Sequence, residues 1–271
     1  MADLFKKQAK KYSDNRPGYP DELFRFIASK TPKNDLAWDV GTGSGQAAVS
    51  CILIKYSHVQ QLSKIYKNVI ATDASEQQLA HAHKLPNIHY KHTPATLSPA
   101  DLARAVSPEP HAVDLVTVAQ ALHWFDLPAF YAQVNHVLRR PGGVFAAWCY
   151  TLPLVDPPVD SVFNRYYATS GPYWDAARRL VEEEYRTVAF PFGPVEEEDH
   201  TGPFEFTSKV EMGLDGFLDY VRSSSAYQTA KDQGVELLGE EVVAEFEAAW
   251  GGEGTKVVRF PVFLRIGRVV E

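Results

Sequence analysis

The stretch "AWDVGTGSGQAAVS", residues 37–50, decides the fold, because a short apolar run leads directly into glycines spaced G-x-G-x-G. We interpret it as a buried strand, a glycine-rich turn and a helix that begins near Ser44 or Gly45. A strand, turn and helix in this order present backbone N–H groups at the carboxyl end of a parallel sheet, where ligands bind. The stretch therefore predicts an α/β protein with a ligand at this loop.

Short apolar runs alternate with helical periodicities up to about residue 150, which is typical of a parallel sheet with crossover helices. Helices are predicted where a capping residue precedes an amphipathic run, and the start signals are Pro20 with Asp21, Ser75, Ser98 with Pro99 and Asp101, and Asp126 with Pro128. The predicted strands are "DLAWDV", "NVIATD", "NIHYKH", "AVDLVTVAQ" and "PGGVFAAWCY".

After Thr151 the sequence becomes rich in proline, aromatic and acidic residues. We predict a helix over residues 173–185, then two helices, "LDGFLDYVRSSSAYQTAKDQ" and "VELLGEEVVAEFEAAW". The final segment "KVVRFPVFLRIGRVV" reads as a strand, and Pro261 places it at a sheet edge or a bulge. This half is expected to cover the sheet and to supply its last strands.

Composition excludes several classes of protein. The chain has 271 residues, is 45% hydrophobic and carries a formal net charge of −7, so a nucleic-acid partner is not expected. No signal peptide and no membrane span are recognised, which predicts a soluble, cytoplasmic protein with no membrane partner. Two cysteines, Cys51 and Cys149, offer no disulfide framework and are expected to be reduced.

The acids around the glycine loop indicate which cofactor it holds. A dinucleotide needs G-x-G-x-x-G, but Gln46 stands where the third glycine would be, and Asp39 would repel a pyrophosphate. Asp39 suits a cationic ligand, and Asp73 at the end of the second strand suits two ribose hydroxyls. Both point to S-adenosylmethionine, which has a sulfonium and no phosphate. The alternative is that Asp39 and Asp73 only cap the helices that follow them.

Four motifs in order, "DVGTGSG", "VIATD", "VDLVTVAQALHWFDLPAFY" and "VLRRPGGVFAAW", resemble those of class I S-adenosylmethionine-dependent methyltransferases. With "FKKQAKKYSDNRPGYP", "DHTGPFEF" and "RSSSAYQTAKD" they are similar to the methyltransferase type 11 group, in its embryo-abundant-protein-like and trans-aconitate methyltransferase-like members. The resemblance covers nearly the whole chain. It implies a Rossmann-like, mostly parallel seven-stranded sheet flanked by helices. One methyltransferase domain would span 1–271, with a cofactor-binding core and N-terminal cover in 1–150 and lid helices and last strands in 151–271.

The resemblance also implies an activity: a methyltransferase (EC 2.1.1.-) that uses S-adenosyl-L-methionine to methylate a small molecule, with carboxylic acid O-methylation as the specific expectation. Two rival functions remain open. One is a catalytically silent relative that binds cofactor, and the other is a nicotinamide oxidoreductase, which Gln46 and Asp39 disfavour.

Site residues follow from matching the motifs position by position. The resemblance places the methionine part of the cofactor over the loop, the ribose on the second acid, and the wall between cofactor and substrate after the fourth strand; the N-terminal segment would fold over the cofactor. The residues concerned are Asp39, Gly41, Thr42, Gly43, Gly45, Asp73, Ala74, Gln120, Ala121, Tyr12, Arg16 and Tyr19. The acid that binds adenine in many relatives is missing from "KHTPATLS".

His123 is the candidate catalytic residue, because it follows the central strand where substrate and methyl group would meet. It would orient a carboxylate substrate, or act as general base for a hydroxyl substrate. Substrate contacts are expected from Trp124, Arg222, Ser225 and Tyr227. For all five residues the alternative is that the side chain only packs in the core or lies on a helix surface.

Nearby histidines suggest no metal site. His81 and His83 are two residues apart on a predicted helix, so their side chains would point away from each other, and no metal is expected.

The helix after the glycine loop carries an anomaly. Gly43 and Asp73 are about 30 residues apart, where about 20 is usual in nucleotide-binding sheets. Dropping residues 51–61, "CILIKYSHVQQ", restores the usual pattern "AAVSLSKIYKNVIATD". Eleven residues are nearly phase-neutral in a helix, which would then overshoot the sheet or bulge, with Ile52, Ile54, Tyr56 and Val59 at risk of exposure. We interpret the segment as the mark of a variant or mis-spliced gene product.

Overall fold

The computed structural model describes residues 18–43, 58–94 and 96–270. Within them a seven-stranded sheet has the order β3-β2-β1-β4-β5-β7-β6. The strands are β1 (Leu36–Val40), β2 (Asn68–Asp73), β3 (Ile88–His92), β4 (Leu115–Ala119), β5 (Val144–Tyr150), β6 (Phe204–Met212) and β7 (Lys256–Arg268). The first five are parallel to one another, and β7 runs antiparallel to both β5 and β6. The predicted mostly parallel, Rossmann-like sheet is confirmed.

Helices cover both faces of the sheet. They are α1 (Asp21–Ser29), α2 (His58–Ile65), α3 (Glu76–Ala80), α4 (Pro99–Ala105), α5 (Leu127–Val137), α6 (Pro157–Ser170), α7 (Arg179–Glu182), α8 (Leu214–Arg222), α9 (Ser225–Asp232) and α10 (Glu240–Trp250). The predicted caps are present: Ser75, Ser98 and Asp126 each accept a backbone N–H of the following turn, and Asp101 completes a capping box.

Successive side chains of the central strands point to opposite faces of the sheet, so the hydrophobic core is divided into two clusters, one on each face. On β4, Leu115 and Ala119 face one core cluster while Val116 and Val118 face the other. The first cluster includes residues of α1, α2, α6, α8 and α10, and the second includes residues of α4 and α5. Because both faces are covered, β4 is buried along its whole length, which is why its sequence is continuously apolar.

The second half departs from the prediction in its helices. The helix expected over residues 173–185 is wrong: the long helix is α6, followed by 3-10 turns at Gly171–Tyr173 and Ala176–Arg178 and by the short α7. Prolines caused the error, because Pro157 and its neighbour occupy the first helical positions, where a missing N–H costs nothing.

Two further helix boundaries differ. The segment predicted as one helix through "RSSSAY" is split into α8 and α9, because Ser224 caps a new helix by accepting the backbone N–H of Tyr227. The helix after Ser75 ends at Ala80, so the predicted helical placement of both His81 and His83 is wrong.

The last strands also correct the prediction. The strand β6 was not located from the sequence, and β7 lies between β5 and β6 rather than at an edge. Pro261 is tolerated there because the pairing of β7 with β5 stops at Val262, so the β5 ladder needs no N–H from the proline. Its carbonyl still accepts the N–H of Thr151 at 3.1 Å.

Candidate active site

The glycine loop follows β1 and is held in a conformation that favours glycine. Gly41 and Gly43 have φ angles of +66° and +64°. A Cβ on Gly41 would lie 3.0 Å from the Cβ of Ala121, so the loop and the segment after β4 touch. Between the glycines, Thr42 is buried, and its hydroxyl has no hydrogen-bond partner within residues 18–43, 58–94 and 96–270. Gly45 lies outside the described residues.

Asp73 ties β2 to this loop. One carboxylate oxygen accepts the N–H of Gly43 at 2.8 Å, and the other accepts the N–H of Ser75 at 2.7 Å. Burial raises the pKa of Asp73, and these backbone N–H groups act in the opposite direction. Each oxygen keeps a lone pair, so the carboxylate can still accept two hydroxyls. Ala74 is exposed beside it.

Asp39 lies beneath the loop rather than at its surface. It is fully buried; its Oδ1 accepts the hydroxyl of Thr117 at 2.7 Å, and its Oδ2 is 2.9 Å from Nε2 of His58. Both oxygens therefore have partners inside the protein. His58 belongs to the 51–61 segment, so the end of that segment is built into the core.

The apolar residues of the 51–61 segment were predicted to risk exposure to solvent. Val59 is fully buried on α2, so its expected exposure is wrong. Ile52, Ile54 and Tyr56 lie outside the described residues.

The N-terminal cover is described only from residue 18 onward. Tyr19 packs edge-on against Trp148, with 5.5 Å between the ring centres, and against His58 at 6.1 Å. It therefore lies over the network around Asp39. Tyr12 and Arg16 lie outside the described residues, and their role stays a prediction.

Gln120, after β4, forms a rigid wall. Its φ of +54° is unusual for a residue with a side chain. Its amide closes a two-bond ring with Tyr150, donating to the carbonyl at 3.2 Å and accepting the N–H at 2.8 Å. This ring anchors the crossing from β4 to the segment that carries Ala121 and His123.

A cavity of about 760 Å³, including its open mouth, lies beyond Gln120. Six aromatic side chains line it, contributed by the segment after β4, by α6 and its following turn, and by α8: Trp124, Phe163, Tyr166, Tyr167, Trp174 and Tyr220. Its polar lining consists of Gln120, His123, Asp175, Arg178, Ser224 and Ser225. The second half of the chain thus supplies most of the wall.

The predicted substrate residues divide into two groups. Trp124 and Ser225 line the cavity. Arg222 and Tyr227 do not: Arg222 pairs with Asp219 at 3.1 Å along α8, and the Tyr227 hydroxyl donates to Glu236 at 3.0 Å. Their contact with substrate stays a prediction.

Arg178 is the functional residue that sequence reasoning missed. It ends the 3-10 turn Ala176–Arg178, and its guanidinium carbon lies 4.6 Å from the ring centre of Trp174. Among the described residues, its buried Nε has no hydrogen-bond partner and no carboxylate pairs with its guanidinium. In "DAARR" either arginine could have faced inward; Arg179 instead pairs with Glu183 at 2.5 Å.

His123 is held as a neutral imidazole. Burial, together with the positive charge of Arg178, lowers its pKa to about 3, while Asp175 acts in the opposite direction. Its Nδ1 is 3.0 Å from the hydroxyl oxygen of Tyr185. With the Tyr185 hydroxyl as the donor to Nδ1, Nε2–H remains as a donor.

The part of the chain that the structure describes gives little support for a metal site, a reactive cysteine or a membrane-spanning helix. There, no three His, Cys, Asp or Glu side chains are grouped to hold a metal ion, and Cys149 is a buried free thiol. The absence of a metal stays a prediction, and Cys51 lies outside the described residues. No helix among residues 18–43, 58–94 and 96–270 is long and apolar enough to cross a membrane.

Comparison with known proteins assigns the family. The methyltransferase domain family Methyltransf_11 matches residues 38–147. A protein of Dictyostelium discoideum with a methyltransferase name is 30% identical over 98% of this chain and 95% of its own. A Saccharomyces cerevisiae protein, CRG1, named for S-adenosylmethionine-dependent methyl transfer, is 30% identical over 67% of this chain and 58% of its own.

Solved structures agree with this. A protein of Anaeromyxobacter dehalogenans, titled a type II methyltransferase, is 34% identical, with a TM-score of 0.77 over 94% of this chain and 98% of its own. The chain belongs to the class I S-adenosylmethionine-dependent methyltransferases, in the methyltransferase type 11 family.

Proposed function

We propose that this protein transfers a methyl group from S-adenosylmethionine to a carboxylate oxygen of a small molecule. The observation that carries the proposal is Arg178, a cation in the wall of the cavity next to His123 whose buried Nε has no hydrogen-bond partner in the described part of the chain. A guanidinium and an imidazole N–H are both donors, which a carboxylate accepts with strong, charge-assisted bonds.

The residues around the glycine loop fit the cofactor. Asp73 keeps lone pairs for a ribose diol, and the buried Thr42 hydroxyl, which no described residue bonds, could bond a ligand on the loop. The cofactor, when bound, supplies an electrophilic methyl group on a positive sulfur.

The state of His123 favours a carboxylate over a hydroxyl acceptor. A base with a pKa of about 3 removes a hydroxyl proton poorly at neutral pH. A carboxylate oxygen needs no base: it forms the new bond to the methyl carbon while the carbon–sulfur bond breaks and its electron pair stays on sulfur. His123 then only donates and orients, and the protein contributes mainly alignment.

The proposal is tested by turnover. Purified protein with S-adenosylmethionine and a panel of carboxylic acids should form methyl esters, detected by mass spectrometry together with S-adenosylhomocysteine. A panel that yields only methyl ethers from hydroxyl compounds would sink the proposal.

We expect the pH dependence to reflect a neutral His123. With a carboxylate substrate, kcat/KM should stay flat between about pH 6 and 8, because neither the acceptor nor His123 titrates there. A one-proton fall near pH 6.5 that disappears in His123→Gln would instead make His123 a base.

Stability gives an independent readout of the same pKa. As pH falls below the unfolded value near 6.5, the unfolded chain gains a proton on His123, which the folded protein does not bind until about pH 3. Urea stability should therefore fall more steeply with acid for the wild type than for His123→Gln between about pH 6.5 and 4. Equal slopes would contradict the lowered pKa.

One observation favours a second candidate, the catalytically silent relative. His58, from the 51–61 segment, occupies a carboxylate oxygen of Asp39, the acid expected to face the cationic part of the cofactor. Methyl turnover separates the two functions.

Deleting residues 51–61 tests the role of the segment itself. The deletion would bring Ala47 to the helical position of His58 and free Asp39, so we expect affinity for S-adenosylhomocysteine to rise about tenfold. The variant His58→Ala in the full chain is the matched control for the contact alone. No gain in affinity or thermal stability on deletion would count against a foreign insertion.

A further inference from the structure

The cavity beyond Gln120 combines one cation with a mostly aromatic wall. Arg178 is the only Lys or Arg among the described residues that line it. Six aromatic rings, with Leu152 and Val221, make up the apolar lining. The polar side chains Gln120 and Ser224 are already engaged, with the backbone of Tyr150 and Tyr227 respectively.

The charges of Arg178 and Asp175 leave room for one anionic group at the end of the cavity near His123. Asp175 is exposed, and its Oδ1 accepts the N–H of Ala177 at 2.9 Å, so it caps the turn that carries Arg178. At His123 the influence of Arg178 exceeds that of Asp175, because Arg178 lowers the pKa more than Asp175 raises it. The surroundings of His123 are therefore electropositive on balance.

Further carboxylates would find no second Lys or Arg among the described lining residues, only neutral hydroxyl donors such as those of Tyr166 and Ser225. Aromatic rings present a negative face, and a carboxylate buried against them without a donor loses its hydration without compensation. A polyacid such as aconitate would place two additional carboxylates in this lining. A flat apolar body would instead bury surface against the rings.

We infer that the methyl acceptor is a monocarboxylic acid with a flat aromatic body, its carboxylate held by Arg178 and His123 and its ring against the aromatic wall. The inference rests on the proposed carboxylate methylation and narrows it to a class of acid. Arg178 thereby sets the orientation of the acceptor, with the carboxylate toward the segment after β4.

The experiment compares matched substrates with the full-length protein. Its panel contains trans-cinnamate (one carboxylate, aromatic), sorbate (one carboxylate, linear), trans-aconitate (three carboxylates) and cinnamylamine (aromatic cation). S-adenosylhomocysteine binding is measured first by calorimetry, so that cofactor binding is known independently. We expect kcat/KM for trans-cinnamate to exceed that for trans-aconitate about 100-fold and that for sorbate about tenfold.

Variants test the assigned cation. Arg178→Gln should lower kcat/KM for trans-cinnamate about 100-fold without changing affinity for S-adenosylhomocysteine, and Arg178→Lys should recover part of the loss. Arg179→Gln is the matched control, because its neighbouring guanidinium pairs with Glu183 outside the cavity lining, and it should change kcat/KM less than twofold.

The failures are distinguishable. Preference for trans-aconitate, or an Arg178→Gln variant as active as the wild type, overturns this inference and leaves carboxylate methylation standing. Cofactor binding without ester formation from any acid, or methylation of cinnamylamine alone, overturns the proposed function as well.

Discussion

Replacing Asp73 with alanine is expected to weaken S-adenosylhomocysteine binding about 100-fold. The carboxylate holds the N–H groups of Gly43 and Ser75 and keeps two lone pairs for a ribose diol. Two hydrogen bonds to a charged acceptor contribute at least about 1.5 kcal/mol each, or about 3 kcal/mol in all, and each 1.4 kcal/mol is a factor of ten in affinity. The measurement is calorimetric titration.

Controls separate ligand contact from loop distortion. Asp73→Asn keeps an acceptor for Gly43 but loses the charge, and should fall between alanine and wild type. Asp101→Ala removes an acid that caps α4, and should leave cofactor affinity unchanged. A dissociation constant for Asp73→Ala within twofold of wild type would remove Asp73 from the cofactor site.

Replacing Asp114 with alanine is expected to lower the free energy of unfolding by about 3–5 kcal/mol. Asp114 is fully buried just before β4 and accepts the backbone N–H groups of Asp35 at 2.8 Å and Leu36 at 3.0 Å, while its other oxygen pairs with Arg139. Removing it leaves a half-buried guanidinium and two N–H donors without this acceptor, at the base of the two central strands. Urea denaturation measures the change.

Asp35→Ala is the matched control. Asp35 lies just before β1, and its ion pair with Lys67 is exposed to solvent, so its loss should change stability little. If Asp114→Ala loses less than about 1 kcal/mol, the buried pair does not hold the two central strands together. Asp114 lies at the amino-terminal ends of the central strands, whereas the glycine loop lies at their carboxyl ends. The fraction of Asp114→Ala protein that remains folded should therefore bind the cofactor with normal affinity.

The parallel half of the sheet was predictable because its signals are local. The continuous apolar run of β4, the glycines after β1, and the capping residues Ser98 and Asp126 each act within a few residues. In the second half, local signals conflicted: the prolines before α6 look like a break but start a helix, and Ser224 interrupts what periodicity reads as one helix.

The same distinction between local and non-local signals applies to the residues of the site. Asp73 and the glycines were recognisable because the motif places them on one loop. Arg178 was not recognisable from the sequence, because its orientation depends on a three-residue 3-10 turn. This turn directs Arg178 to the cavity, whereas Arg179 pairs with Glu183. Arg222 was chosen for its charge, but Asp219, three residues earlier on α8, already satisfies it.

The sequence by itself determined the family, the parallel sheet, the loop that receives the cofactor and the acid beside it, since these depend on residue types at short, fixed spacing. Tertiary structure alone decided what the acceptor meets. It buried Asp39 against His58, placed the Tyr185 hydroxyl at hydrogen-bond distance from Nδ1 of His123, and brought Arg178 from the cover to the end of β4. These environments are built from residues that are distant in the chain, 19 positions apart for Asp39 and His58 and 62 for His123 and Tyr185, and no local pattern in the chain encodes them.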